Sequence, residues 1–197
     1  GGTINIITKG LESKEGGIIK QELGSGDLIR TSFAYTSQSY KLGKFNVAAS
    51  IKKSNGLIDQ TASKGFFYYL KWQKQFKNHL LSLSAFGAPQ EHDQRKYQTG
   101  AAVYDKEFAS DLGIDTASLE GNYGLTYNPN WGEYNNYEII YENGVPTDTI
   151  LGENTTINRY KNYYHKPILN FQHLWNINNK SSITNVIYYS RGNGGGT

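Results

Sequence analysis

Glu91-His92-Asp93, followed by Arg95 and Tyr97, is the densest group of titratable side chains in the sequence. A histidine between two carboxylates can contact a metal chelate, and a guanidinium beside it can hold an anionic ligand through two parallel bonds. The competing reading is a polar strand extension that is hydrophilic only because it stands in solvent. Further on, Tyr123, Tyr127, Trp131, Tyr134, Tyr137 and Tyr141 are set among Asn and Gly residues, including Asn128. Rigid rings among adaptable polar residues are what a binding surface for a sugar, an aromatic chelate or a partner protein uses. A long loop also needs such rings to pack a small core of its own. The candidate substrate-binding residues are therefore Glu91, His92, Arg95, Tyr97, Tyr127, Asn128, Trp131 and Tyr134.

Other chemistries find less support. Asp105, Glu107, Asp111, Asp115 and Glu120 do not follow the alternate-ligand spacing and central glycine of a helix-loop-helix calcium site. His79, His92, His165 and His173 lack zinc spacing, and neither a nucleophile elbow nor a phosphate-cradling glycine loop is present. With no cysteine among the 197 residues, thiolate metal sites, disulfides and thiol nucleophiles are excluded. The expectation is a protein that is not an enzyme and carries no metal or cofactor.

The elements that position these residues read as strands. Aromatics make up 14% of the chain, with 16 Tyr and 22 Gly but only 4 Pro, a mixture that favours strands and turns. Net charge is +3, too mild to suggest nucleic acid. The longest apolar run, Phe66 to Leu70, falls far short of the roughly 20 residues of a spanning helix, so any membrane crossing would use strands. Period-two alternation is clearest over Phe45 to Lys53, Phe66 to Gln73, Leu81 to Ala85 and Leu169 to Trp175, and weaker over Gly17 to Leu23, Leu28 to Ser37 and Ser182 to Arg191. Seven long strands are expected.

Their connections alternate in length. In an up-and-down meander the short links Ser39 to Gly43, Lys77-Asn78 and Asn176 to Lys180 fall at one end. The longer Ser54 to Lys64 and the very long Ala88 to Lys161 fall at the other, an asymmetry shared with outer-membrane barrels. Tyr35, Tyr40, Phe45, Trp72, Phe76 and Trp175 then lie toward the short-turn end, and Phe66, Phe67, Tyr68, Tyr163, Tyr164, Tyr188 and Tyr189 toward the other. Two aromatic bands with smaller apolar residues between them suit the two interfaces of a bilayer. Formal charge is +7 over residues 1–87, −7 over 88–161 and +3 over 162–197, so the long loop is acidic.

The opening Gly1-Gly2-Thr3-Ile4-Asn5-Ile6-Ile7-Thr8-Lys9-Gly10 resembles the segment that closes the plug and leads into the barrel of TonB-dependent outer membrane receptors. Phe86-Gly87-Ala88-Pro89-Gln90, Gln94-Arg95, Tyr127-Asn128-Pro129-Asn130-Trp131-Gly132, Asn162-Tyr163-Tyr164-His165-Lys166-Pro167 and the closing Arg191-Gly192-Asn193-Gly194-Gly195-Gly196 are similar to Bacteroidetes-type members. The resemblance implies an all-β, antiparallel, up-and-down transmembrane barrel, present as about seven strands of the twenty-two or so that such plugged transporters build. It divides the chain into the end of the plug (1–10), barrel strands one to five (11–88), a long extracellular loop (89–161) and strands six and seven (162–197). The chain is thus expected to be a piece of a longer polypeptide.

The implied activity is TonB-dependent uptake of a scarce nutrient such as a siderophore, haem or cobalamin across the bacterial outer membrane. The implied partners are outer-membrane lipid, a TonB-type energy-transducing protein and a surface lipoprotein or other outer-membrane protein. The interface aromatics would be Tyr35, Tyr40, Phe45, Trp72, Phe76, Trp175, Phe66, Tyr68, Tyr163 and Tyr188. Two alternatives stand beside this: a soluble all-β carbohydrate-binding module, and a barrel subunit of a larger outer-membrane assembly.

Overall fold

The computed structural model describes Leu11, residues 13–96 and residues 99–196. The plug-like motif at 1–10 and Tyr97 lie outside the described residues. The chain is all-β and antiparallel, and its contacts divide it into two compact units.

The first unit is a meander of seven long strands: β1 (Gly16–Gly24), β2 (Leu28–Thr36), β3 (Lys44–Ser54), β4 (Ser63–Phe76), β5 (His79–Gly87), β10 (Ile168–Asn178) and β11 (Ser181–Ser190). They lie side by side in that order, and all seven match the alternating segments of the sequence. β1 and β11 are the edges of this path, and the described residues do not close it into a barrel.

The turns follow local chemistry. Tyr40 and Gly43 exchange backbone hydrogen bonds at 3.1 and 2.9 Å, and Gly43 has φ +119°. A Cβ there would stand 2.5 Å from Trp72 Nε1 and 2.6 Å from the Gln73 carbonyl oxygen, so only glycine closes the turn without strain.

Because opposite residues in an antiparallel ladder share a face, the registers sort the side chains into two sets. One face carries Ile19 and Leu23 on β1, Ile29 and Phe33 on β2, and Phe45, Val47 and Ile51 on β3. It continues through Phe66, Tyr68, Leu70, Trp72 and Phe76 on β4, Leu81 and Leu83 on β5, Leu169, Phe171 and Trp175 on β10, and Ile183, Ile187 and Tyr189 on β11. The opposite face carries Arg30, Thr36, Lys44, Asn46, Ser50, Lys52, Lys71, Gln73, Ser82, Ser84, Asn170 and Gln172.

Burial of these two faces is inverted relative to a water-soluble protein. Lys44, Asn46, Lys71, Gln73 and Ser82 are buried, while Ile19 is 75% and Ile187 66% exposed. Among the described residues the only buried hydrophobic side chains are Ala102 and Ala109, and neither belongs to the meander. Val47 and Leu81 are half-buried and Leu169 is exposed. On the polar face, Lys44 Nζ donates to the carbonyl oxygen of Leu11 at 2.9 Å and also to that of Ser13.

The stretch expected as a loop contains five elements of its own. These are β6 (Gln90–Asp93), the short helices α1 (Ala101–Tyr104) and α2 (Lys106–Asp111), and the hairpin β7 (Trp131–Glu142) with β8 (Val145–Asn158). Asn143 and Gly144, both at positive φ, form the two-residue turn that an Asn-Gly pair favours in a hairpin. Alternation alone missed this ribbon because two register shifts interrupt it.

Two further short strands, β9 (Lys161–His165) and β12 (Asn193–Gly196), pair with each other. The glycine-rich end is therefore a strand. Its glycines fit because a Cβ on Gly194 would stand 2.6 Å from the Tyr163 carbonyl oxygen.

Candidate functional site

The second unit comprises residues 55–62 and 92–162 together with the last two, and it is organised by asparagines. Asn128 is 1% exposed. Its Nδ2 donates to the Asp59 carbonyl oxygen at 2.8 Å and its Oδ1 accepts from the Asn130 amide at 3.0 Å. Asn130 Oδ1 accepts from the Lys96 amide at 3.0 Å. Asn158 Nδ2 donates to the carbonyl oxygens of Gln60 at 2.7 Å and Gln94 at 3.1 Å, and its Oδ1 accepts from the Tyr160 amide at 2.8 Å. Carboxamides suit this work because each offers two donors and an acceptor to backbone that no ladder satisfies.

Arg95 joins the same framework. One guanidinium nitrogen donates to the carbonyl oxygens of Leu125 at 3.2 Å and Tyr127 at 2.9 Å, and the guanidinium lies 4.8 Å from the Tyr104 ring centroid. Arg95 and Asn128 were expected at a ligand; both are braces of the loop itself.

Two of the acidic residues weighed for calcium are local caps. Asp105 Oδ1 accepts from the Phe108 amide at 3.0 Å at the start of α2, and Asp115 Oδ1 accepts from the Ala117 amide at 3.0 Å, each satisfying an orphan N–H.

Glu91, His92 and Asp93 do not converge, because they are consecutive in β6 and successive side chains of a strand point to opposite faces. Glu91 pairs with Lys64 Nζ at 3.2 Å. His92 Nε2 accepts from Gln94 Nε2 at 2.8 Å. Among the described residues no three His, Asp or Glu side chains gather as a metal site.

The aromatic candidates separate into two roles. Tyr127 stacks on Tyr123 with centroids 4.7 Å apart, so it packs the loop. Trp131, at the first position of β7, lines an open depression of about 470 Å³ with residues 55–60 and Ala62. Thr61 holds that wall through its hydroxyl, which donates to the Ile58 carbonyl oxygen at 2.6 Å. The Asp59 amide donates to the Thr126 carbonyl oxygen at 2.9 Å. Tyr134 stands exposed on the β7–β8 ribbon.

Sequence reasoning missed Asn130, Asn158 and the contribution of residues 55–62. The Asn128-Pro129-Asn130 corner was visible, but its partners are up to 69 positions away.

In the first unit the polar tips of three aromatic candidates are hydrogen-bonded. Tyr35 Oη donates to Glu15 Oε1 at 3.1 Å and Trp72 Nε1 to the Leu42 carbonyl oxygen at 2.9 Å. Tyr68 Oη and His165 Nε2 are 3.0 Å apart. His79 Nδ1 and His173 Nε2 also lie 3.0 Å apart, and His79 stacks on Trp175 at 5.5 Å. Tyr188 pairs with Asn170 on the polar face, and Tyr189 stands in the apolar row opposite Leu169. Phe33 and Phe171 belong to the same apolar face and were not singled out.

Comparison with protein-family models, curated proteins and solved structures finds no match to this chain.

Proposed function

We propose that the chain is barrel wall and surface loop of an outer-membrane transporter that takes up a scarce nutrient in a TonB-dependent manner. The observation that carries this reading is the inverted sheet: seven strands with a largely apolar and largely exposed face, interrupted by Gln21, Lys53 and Lys74, and a polar face that buries Lys44, Lys71 and Gln73. In water such a face would expose several hundred square ångströms of grease, far beyond the patches of ordinary soluble proteins. Against acyl chains it is the favoured arrangement, and the polar side then faces a wet interior.

The Lys44 bonds to the Leu11 and Ser13 carbonyls support a chain that enters β1 from the polar side, as a barrel with an N-terminal plug requires. Unit two, braced by asparagines and offering the Trp131 depression, is the candidate ligand-facing surface. A soluble carbohydrate module would have its apolar faces meeting in a sandwich core, and the exposed Leu169 and Leu83 argue against it.

The test is fractionation followed by uptake. Recovery of the protein only in detergent from outer membranes, and ligand accumulation that stops when the inner-membrane proton gradient is collapsed, are expected. A freely soluble protein would sink the membrane reading; gradient-independent uptake would sink the energy-coupled one.

A further inference from the structure

Among the described residues the β7–β8 ribbon pairs with no third strand, and every residue in it except Asn158 is exposed. Two-stranded hairpins are marginal alone, and an open edge presents a row of unpaired backbone groups that proteins usually guard with Lys, Pro or a short strand. The β7 edge is twelve residues long and has neither Lys nor Pro.

The register gives the ribbon two faces. Tyr137, Ile139 and Tyr141 fall on one side with Leu151, and Glu138, Ile140 and Glu142 on the other with Ile150, Asp148 and Val145. Tyr137 is 60% and Leu151 76% exposed. Residues 131–158 contain five carboxylates and no Lys, Arg or His.

These features select the occupant. A second copy would bring five like charges against five, and anionic lipid headgroups would be repelled in the same way. A neutral sugar would use the tyrosines and the carboxylates as hydrogen-bond acceptors but not the open backbone edge or the net charge. A strand with alternating apolar and basic side chains uses all three features at once. Its backbone extends the β7 ladder, its apolar set lies over Tyr137, Ile139 and Tyr141, and its cations meet Glu138 and Glu142.

We propose that β7 is a docking edge for an extended, basic segment of a partner protein with this period-two pattern. The inference stands on the second unit alone, so it survives or fails independently of the membrane reading.

The probe is a ten-residue alternating Val–Lys peptide, titrated onto the intact purified protein in an uncharged detergent or, if the protein is soluble, in buffer. Saturable binding that weakens with salt is expected, with an alternating Val–Glu peptide showing none. E138Q/E142Q and Y137S/Y141S should each weaken it at least about tenfold. N-methylation of alternate probe amides should abolish it, because an added strand needs its N–H groups. Unchanged binding by either double variant or by the methylated probe would overturn the proposal. So would a concentration-dependent dimer formed through the ribbon without probe, or a Tyr137→Cys protein that a maleimide cannot label because the ribbon is already covered.

Discussion

The side-chain amide of Asn128 reaches the carbonyl oxygen of Asp59 across 2.8 Å, binding the connection after β3 to the Asn-Pro-Asn corner before β7. Sealed from water on nearly all sides, the asparagine can be replaced only by leaving backbone groups unpaired. Asn128→Ala is expected to cost about 1–3 kcal/mol in the second unit. Hydrogen exchange should show faster amides at Asp59 and Asn130, with β3, β4 and β5 unaffected; uniform protection as in the wild type would mean that the bond is dispensable.

Leu70 and Ser50 lie on opposite faces of the meander, and lysine placed at each reports what that face meets. If acyl chains cover the apolar face, Leu70→Lys costs about 2–4 kcal/mol near mid-bilayer, measured by denaturant unfolding from lipid vesicles. Ser50→Lys, beside a polar surface, should cost far less. Equal tolerance at both positions would indicate water on both sides.

Gly43→Ala places a methyl against Trp72 and the Gln73 carbonyl at a backbone angle that alanine rarely adopts. A loss of about 1–3 kcal/mol follows from strain of this kind. Because Trp72 Nε1 is also tied to Leu42, the substitution should shift tryptophan emission as well as the unfolding midpoint. A variant matching the wild type in both would show that the turn relaxes freely.

Arg95→Lys keeps the charge but cannot reproduce a planar group that serves two carbonyls and lies against the Tyr104 ring. The expected result is a second unit weaker by about 1–2 kcal/mol, with protease cleavage appearing between Tyr104 and Tyr127. By contrast, Glu91→Gln weakens a partly exposed ion pair to Lys64 and should change stability by less than about 1 kcal/mol.

Much of the meander could be read from the chain because a strand with one apolar face writes that face at every second residue, as Val47, Ala49 and Ile51 do. The seven strands follow from such runs and from short turns such as Lys77-Asn78. The candidate site was less legible. Arg95 and Asn128 look like ligand contacts because the same donors that bind a substrate also satisfy a loop's own backbone, and the distinction depends on partners such as Asp59 and Leu125, which no local pattern reveals. The ribbon was hidden for a different reason: Asn136 and Thr147 fall at its register shifts and break the alternation. Tyr188 and Tyr189 show the finest limit, since adjacent tyrosines in a strand differ only in side.

On the proposed membrane reading, the burial of Lys71 and Gln73 also bears on how the polypeptide reaches this state. A newly made chain left in water would draw Ile19, Phe33 and Leu70 together and curl the opposite way, hiding the face that the reading turns toward acyl chains. That reading therefore calls for a holding chaperone that postpones such premature clumping and releases the chain at its destination.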